Sequence, residues 1–381
     1  MIQKIDYKID KKKYNVIFTD NILPQLNNIF KKINSDYKVC LVYDENIDNK
    51  IINELARGLK ITGSFILKKK IKSEKKNKNI QTVIKLIEQL SNNKFTKKSV
   101  VIACGGGVIG DLCGLAASLY QRGMIFINIP STMTAIVDSC IGGKTAVNHK
   151  NIINLIGSYH HPDAVLIYHN ILKVLPHREY IAGLSEVIKC AMISKNGILK
   201  ILDENKNKLL ERDKSLLSKI VLKTLQTKAN FFKNDVFEKN TRLFLNLGHT
   251  FAHAIEMATD KIHNKDYLRH GEAVALGIIC ELNLSKLEIK NKNALNEIDE
   301  KINKCKKLFE KYGLPTKLQI KNKKKILKEI YKFVFYDKKR ISEKPRYIKL
   351  VANNRYEIAE IQNFDNINLS ILEILNWKKK N

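Results

Sequence analysis

Two histidines stand four residues apart in the stretch LNLGHTFAHAIE, Leu245 to Glu256. At that spacing His249 and His253 share one face of a helix, about a turn apart. The H-E-x-x-H zinc motif uses the same spacing but carries its general base between the histidines. Thr250 stands there instead, so a metalloprotease is not indicated. A second stretch, GLSEVIKCAMI, has only Glu186 and Lys189 as charges, set among Leu184, Val187, Ile188 and Met192. A local i, i+3 pair stabilises a helix by only about 0.2–0.5 kcal/mol, whereas burying either charge unpaired costs far more. Something else charged should meet that helix, a metal ion or a charged substrate. A third stretch, RHGEAVALGI, places His270 at the start of another apolar helix. Together Glu186, His249 and His270 make a two-histidine, one-carboxylate set with an open position. That is the donor set of catalytic rather than structural zinc. The bland alternative is a set of core histidines satisfied locally.

A separate constellation lies earlier in the chain. GGGVIGD, Gly105 to Asp111, fits G-x-G-x-x-G through Gly105, Gly107 and Gly110, follows a strand-like run and opens a helix. Glycines there let backbone N–H groups approach a pyrophosphate at a helix N-terminus. The usual dinucleotide fold has an acid about 20 residues further on to hold the ribose. RGMIFINIPST offers none, and the acid-ended run is VYDEN with Asp44, upstream. A nucleotide site in a variant topology is the expectation. Next, Asp138, Lys144 and Asn148 interrupt the small, apolar segment STMTAIVDSCIGGKTAVN, where Lys144 could reach a phosphate or lie in a surface loop.

Positioning these residues requires two kinds of architecture. Up to ILKVLPHRE, short β-branched runs (KVCLVYDEN, SVVIACGGG, MIFINIPST, AVLIYHN) alternate with helical patterns such as NIQTVIKLIEQL. That pattern indicates a parallel sheet with crossover helices. Beyond it, long amphipathic patterns take over, including SLLSKIVLKTLQTKANFF and IDEKINKCKKLFEKYGLP. The expected fold is therefore an α/β, Rossmann-like N-terminal domain over 1–175 and a mainly helical domain over 176–381, and 381 residues suit two cores.

The formal net charge of +30 could signal a nucleic-acid partner. The excess is lysine in short clusters such as KIDKKK, ILKKKIKSEKKNKN and NWKKKN, which read as solvated loops and faces. With no recognition motif beside them, nucleic acid is not the expected partner. Seven cysteines sit mostly in apolar runs without a C-x-x-C. Together with an N-terminus lacking an apolar run, they suggest reduced thiols in a cytoplasmic setting. No stretch reads as a membrane span.

GGGVIGDLCGLAASLYQRG, IPSTMTAIVDSCIGGKTAVNH, GLSEVIK, NLGHTFAHAIE and HGEAVALG, in that order, resemble 3-dehydroquinate synthase over roughly Val39 to Leu350. The resemblance implies conversion of 3-deoxy-D-arabino-heptulosonate 7-phosphate to 3-dehydroquinate and phosphate, the second step of the shikimate pathway. It implies NAD+ used catalytically, one divalent metal (Zn2+ or Co2+) and a homodimer. The implied metal ligands fall on Glu186, His249 and His270. Implied nucleotide contacts fall on Asp44, Asn46, Glu74, Gly106, Gly107, Val108, Ile109, Gly110, Asp111, Ser131, Thr132, Lys144, Leu172 and Lys173. Implied substrate contacts fall on Asp138, Lys144, Asn154, Lys189, Lys228, Arg242, Asn246 and His253. Of these, Lys144 and Asn154, together with Arg122, would hold the phosphate, and Arg242 with Lys228 the carboxylate. His253 would serve in proton transfer or enolate support. Arg122 resembles an arginine that the family lends to the neighbouring protomer's site.

Three departures accompany the resemblance. A family lysine aligns with Ile153, where Lys150 is a possible substitute, and another aligns with Asn77, beside Lys76 and Lys78. YDKKRISEKPRYIKL lacks the usual glycine, and Lys338, Lys339 and Lys344 are further candidates for closing over the substrate. The competing readings are a cyclase acting on a different sugar phosphate, a related metal-dependent alcohol or glycerol dehydrogenase, and a basic nucleic-acid-binding protein.

Overall fold

The computed structural model describes residues 3–9, 12–32, 38–61, 65–150, 152–263, 267–335, 344–352 and 355–376. In chain order the first elements are β1 (Gln3–Ile9), β2 (Lys12–Thr19), α1 (Ile22–Lys32), β3 (Lys38–Asp44), α2 (Asn49–Ile61), β4 (Phe65–Ile71) and α3 (Ile80–Asn92). There follow β5 (Val100–Gly105), α4 (Gly107–Leu119), β6 (Ile125–Pro130), β7 (Lys144–His149), β8 (Ile152–Tyr159), β9 (Ala164–Tyr168) and α5 (His169–Val174). One sheet runs in the order β1-β2-β9-β6-β5-β3-β4. It is parallel apart from the antiparallel β1–β2 pair. Alternation along the strands feeds two cores. Leu41, Ile102 and Leu166 pack with α1 and α2 on one face. Cys40, Val42, Val101 and Ala103 pack with α3 and α4 on the other. Strands covered on both faces read as continuous apolar runs, which is why β3, β5, β6 and β9 were visible in the sequence.

The topology accounts for the upstream acid. Two crossovers, through α2 to β4 and through α3, separate β3 from β5 in the chain, yet the two strands pair directly, with Tyr43 opposite Cys104. Asp44 therefore ends the strand next to the one that ends in the glycine turn.

Three segments add strands to the expected layout. ILKKKIKSEKKNKN is not only solvated loop, because Phe65–Ile71 forms the edge strand β4, where lysines discourage further pairing. KIDKKK lies largely in the β1–β2 hairpin. Lys144–His149 and Ile152–Tyr159 form a second hairpin, β7–β8, which puts Lys144 at the start of a strand.

The remaining elements are α6 (His177–Met192), α7 (Ile198–Glu204), α8 (Lys206–Leu210), α9 (Lys214–Phe232), α10 (His249–His263), α11 (His270–Leu287), α12 (Lys292–Lys311), α13 (Lys323–Val334), β10 (Arg346–Leu350), β11 (Tyr356–Glu360) and α14 (Asp365–Leu375). The chain divides into two compact units. Unit 1 comprises Met1–Tyr180 with Arg212–Val236, and unit 2 comprises Ile181–Glu211 with Phe237–Asn381. Helix α9, which the sequence reading assigned to 176–381, thus groups with the sheet. In unit 2, α11 is buried nearly all round, as expected of a central helix. No described helix is long and apolar enough to cross a membrane.

All seven cysteines are free and buried. Burial pushes the thiols of Cys40, Cys104 and Cys140 up to about 12.

Candidate active site

Three helices of unit 2 carry the metal-capable residues, and glycines let their backbones meet. A Cβ on Gly271 would lie 1.8 Å from the Ala182 carbonyl oxygen, so α11 touches α6 there. A Cβ on Gly277 would lie 2.1 Å from the Gly248 carbonyl oxygen, so α11 also touches the start of α10. These approaches bring His270 and His249, at the N-termini of α11 and α10, to Glu186 on α6. His249 Nε2 is 3.6 Å and His270 Nε2 3.7 Å from Glu186 Oε1. One donor atom from each of the three residues lies within 4.8 Å of the others.

The hydrogen bonds assign the imidazole tautomers. His270 Nδ1–H donates to Glu256 Oε2 at 3.1 Å, and His249 Nδ1–H donates to the Leu247 carbonyl at 3.3 Å. Each Nε2 is then a lone pair facing Glu186. Glu186 is fully buried, and its Oε1 makes no hydrogen bond. A buried carboxylate oxygen beside two imidazole nitrogens, with His270 keeping 33% side-chain exposure on one side, is a donor set that fits a divalent metal with an open position. His253, Glu256 and His270 form a second grouping. In it Glu256 already engages His270 Nδ1.

Glu256 was missed as a functional residue, although it closes the histidine stretch one heptad after His249. Outer carboxylates of this kind orient the ligand and raise its basicity. Glu256→Gln is expected to weaken metal affinity about 10- to 100-fold, read by competition against a chelating dye. Unchanged affinity would remove the role assigned to this carboxylate.

The other predicted residues of unit 2 lie around this centre or on the segment leading to it. Lys189 is 1% exposed and pairs with Glu186 Oε2. The His253 ring stands edge-on to His249 at 5.6 Å and lies 6.1 Å from His270. Arg242 and Asn246 occupy the 3-10 turn Thr241–Asn246 just before α10, with Arg242 buried. Asn246 Nδ2 donates to Glu238 Oε1 at 2.6 Å.

Unit 1 gathers the predicted nucleotide residues along the C-terminal ends of its parallel strands. Gly106 caps α4, whose first amides have no intrahelical acceptor. Within this turn Gly107, Val108, Gly110 and Asp111 are half-buried, and Ile109 packs beneath Gly105. Asp44 Oδ1 accepts from Asn46 N and Nδ2, both at 3.0 Å. Ser131 N donates to the Gly105 carbonyl, and Thr132 Oγ1 accepts from Ala135 N. Glu74 pairs with Lys72 at 2.7 Å and Lys76 at 2.8 Å. Lys72 first and Lys76 second hold its carboxyl below the ordinary range. Leu172 and Lys173 lie on α5, where Arg212 donates to the carbonyls of Leu172, Lys173 and Leu175. Arg212 thus braces the end of α5, a contact that spacing alone did not indicate.

Of the predicted substrate residues of unit 1, Asp138 and Lys228 pair with each other. Lys228 on α9 is buried and bonds the carboxylate and carbonyl of Asp138, on the π-helical turn Ala135–Ser139. Lys144 is exposed at the start of β7, after Gly142 (φ 92°) and Gly143 (φ 70°). A side chain on Gly143 would meet the His161 ring at 2.8 Å. Asn154 sits on β8, and its Oδ1 accepts from Lys78. Lys78 had been named only as a neighbour of Asn77. Arg122 is exposed on strained backbone, at φ 61° after Gln121 at φ 47°. Lys338 and Lys339 lie outside the described residues, while Lys344 donates to Gln362 Oε1 at 2.7 Å.

Comparison with known proteins gives concordant results. The 3-dehydroquinate synthase N-terminal family model matches residues 68–182, and the C-terminal model matches 183–340. A 3-dehydroquinate synthase from Campylobacter hominis is 35% identical over 346 residues, covering 91% of this chain and 94% of the relative. One from Clostridium tetani is 33% identical over 365 residues, covering 94% and 92%. Among solved structures, a 2-deoxy-scyllo-inosose synthase complexed with carbaglucose-6-phosphate, NAD+ and Co2+ superposes with a TM-score of 0.85 at 22% identity, covering 98% of this chain and 100% of that one. A 2-epi-5-epi-valiolone synthase from Streptomyces hygroscopicus subsp. jinggangensis, with NAD+ and Zn2+ bound, superposes at 0.80 with 21% identity, covering 97% and 98%. At these identities the structural likenesses speak to the fold.

Proposed function

The chain belongs to the 3-dehydroquinate synthase family, and from that premise we propose how its residues divide the work. The reaction converts 3-deoxy-D-arabino-heptulosonate 7-phosphate to 3-dehydroquinate and phosphate by transient oxidation at C5, phosphate elimination, re-reduction and intramolecular aldol closure. When bound, NAD+ takes and returns a hydride, and a divalent metal ion lowers the cost of negative charge on the substrate's hydroxyl oxygens. Glu186, His249 and His270 hold the metal, with Glu256 and the Leu247 carbonyl fixing the two imidazoles. Lys189 balances the charge of Glu186 and offers its remaining donors to substrate oxygens. Asp44, Asn46, Glu74, the turn from Gly106 to Asp111, Ser131, Thr132, Lys144, Leu172 and Lys173 hold the dinucleotide in unit 1. Lys144 and Asn154 also bind the substrate phosphate. Arg242 with Lys228 takes the carboxylate, and Asp138 and Asn246 are further substrate contacts. Such contacts position rather than react. His253, off the metal, moves a proton at the substrate.

The observation that carries this reading is the meeting of the buried Glu186 Oε1, which makes no hydrogen bond, with two histidine Nε2 atoms. The test is phosphate release from the heptulosonate phosphate at catalytic NAD+, with and without a chelator. Release that stops with chelator and leaves no net NADH is expected. Product only from sedoheptulose 7-phosphate or glucose 6-phosphate would move the chain to another cyclase activity, and accumulating NADH would make it a dehydrogenase.

The same proposal includes a cytoplasmic homodimer in which Arg122 serves the neighbouring protomer. Its exposure on a strained turn and the absence of a partner among the described residues of its own chain support this. Mixed dimers of Arg122→Ala and Lys144→Ala chains have one complete site of two. Co-expression should then recover about a quarter of wild-type activity from two inactive variants, given random pairing. No recovery would place Arg122 outside the neighbour's site.

A further inference from the structure

Asn77 and Ile153 occupy the positions where the family resemblance leads one to expect lysines. Lys78 stands between the residues these would serve. Its ammonium pairs with Asp111 Oδ2 at 2.5 Å and donates to Asn154 Oδ1. Little solvent reaches the ion pair, since the Lys78 and Asp111 side chains keep 13% and 15% exposure. Backbone contacts fix the arrangement. Asn148 N donates to the Lys78 carbonyl at 2.8 Å, and Asn79 and Asn148 form a parallel bridge. Asn154 N then donates to Asn148 Oδ1 at 2.9 Å. The neighbouring groups are turned elsewhere, Lys76 to Glu74 and the Asn77 amide to the Lys72 carbonyl.

We infer that Lys78 replaces both missing lysines, as a positioning residue that couples the dinucleotide side of unit 1 to its phosphate side. Two physical arguments lead there. Asp111 lies near the start of α4, and an unneutralised carboxylate beside that helix terminus opposes an approaching pyrophosphate. The Lys78 ammonium removes that opposition through a charge-assisted bond in a weakly solvated setting. On the other side, a lysine bound to Asn154 Oδ1 settles the amide orientation. The Nδ2 donors must face away from Lys78, which suits them to phosphate oxygens. One ammonium thereby sets the charge at one ligand and the donor direction at the other.

This inference rests on the function proposed above, and the experiment separates the two. NAD+ binding to the full-length, metal-loaded protein is measured by isothermal titration calorimetry, alongside KM for the heptulosonate phosphate. Lys78→Met should weaken NAD+ binding about tenfold, the loss of roughly one charge-assisted bond, raise the substrate KM and leave metal content unchanged. Adding Asp111→Asn to Lys78→Met should restore most of the NAD+ affinity, because the opposing charge is gone, while the substrate KM stays raised. Lys78→Arg should retain most of both. NAD+ affinity unchanged in Lys78→Met overturns the inference. So does a loss that Asp111→Asn fails to relieve, since a purely structural role predicts no rescue. If Lys78→Met fails to fold, Lys78→Gln carries the same comparison, with an uncharged polar group in place of the ammonium. A wild-type protein that released no phosphate would overturn the assigned reaction instead, leaving the calorimetric result to be judged alone.

Discussion

Alanine at His249 empties the metal centre and lowers phosphate release at least about a thousandfold, whereas alanine at His253 leaves the metal in place. The magnitude follows from the several kcal/mol that a Lewis acid supplies to developing negative charge, at about 1.4 kcal/mol per tenfold. His249 offers its Nε2 to the point that Glu186 Oε1 and His270 Nε2 also face. Removing it leaves two donors, too few for tight retention. His253 shares the helix face and its ring lies near both other histidines, but Glu256 turns His270 Nε2 toward Glu186 rather than toward His253. Losing His253 removes a proton-transfer group, typically worth about 10²- to 10⁴-fold in rate, so turnover drops in both variants. Metal content by elemental analysis separates them. An emptied His253→Ala beside a loaded His249→Ala would reverse the assignment within the pair.

The second large effect comes from a residue with no side chain. Gly277→Ala is expected to lose metal and destabilise the fold by about 1–3 kcal/mol or more, as overpacking does. The added methyl would lie 2.1 Å from the Gly248 carbonyl oxygen and 2.8 Å from Ala252 N, both backbone atoms at the start of α10. Backbone cannot rotate aside, so α10 and α11 must part, and His249 and His270 part with them. Gly197→Ala is the control. Gly197 has φ 76° and nothing within 4 Å of its would-be methyl, so it should incur only the backbone strain of about 1 kcal/mol and keep its metal. Equal metal content in the two variants would mean that this helix contact does not position the histidines.

The candidate metal site was legible because Glu186, His249 and His270 stand as polar groups in largely apolar segments, a pattern that requires a compensating partner. The i, i+4 spacing does not separate His249 from His253; what separates them is the proximity of His249 and His270 to Glu186 and the contact of His270 with Glu256. The sheet was legible where strands are buried on both faces, as in β5 and β9. It was hidden at the edge, where β4 carries three lysines in seven residues and hydrophobic periodicity gives no signal. Lys78 was obscured by its own surroundings. In KSEKKNKN nothing distinguishes it from Lys75 or Lys76, and only the pairing of Asn79 with Asn148 directs its ammonium to Asp111. The grouping of α9 with the sheet depends on contacts such as Lys228 with Asp138, ninety residues apart in the chain, beyond any local pattern.

The buried thiols give the protein an internal reporter. Cys40, Cys104, Cys113 and Cys140 belong to unit 1, and Cys190, Cys280 and Cys305 to unit 2. Since only an exposed thiolate alkylates readily, the intact protein should be nearly silent to a thiol reagent. Each modified cysteine then timestamps the opening of the unit that holds it. Peptide mapping after brief labelling in rising denaturant would show whether the sheet or the helical bundle yields first, with no engineered probe.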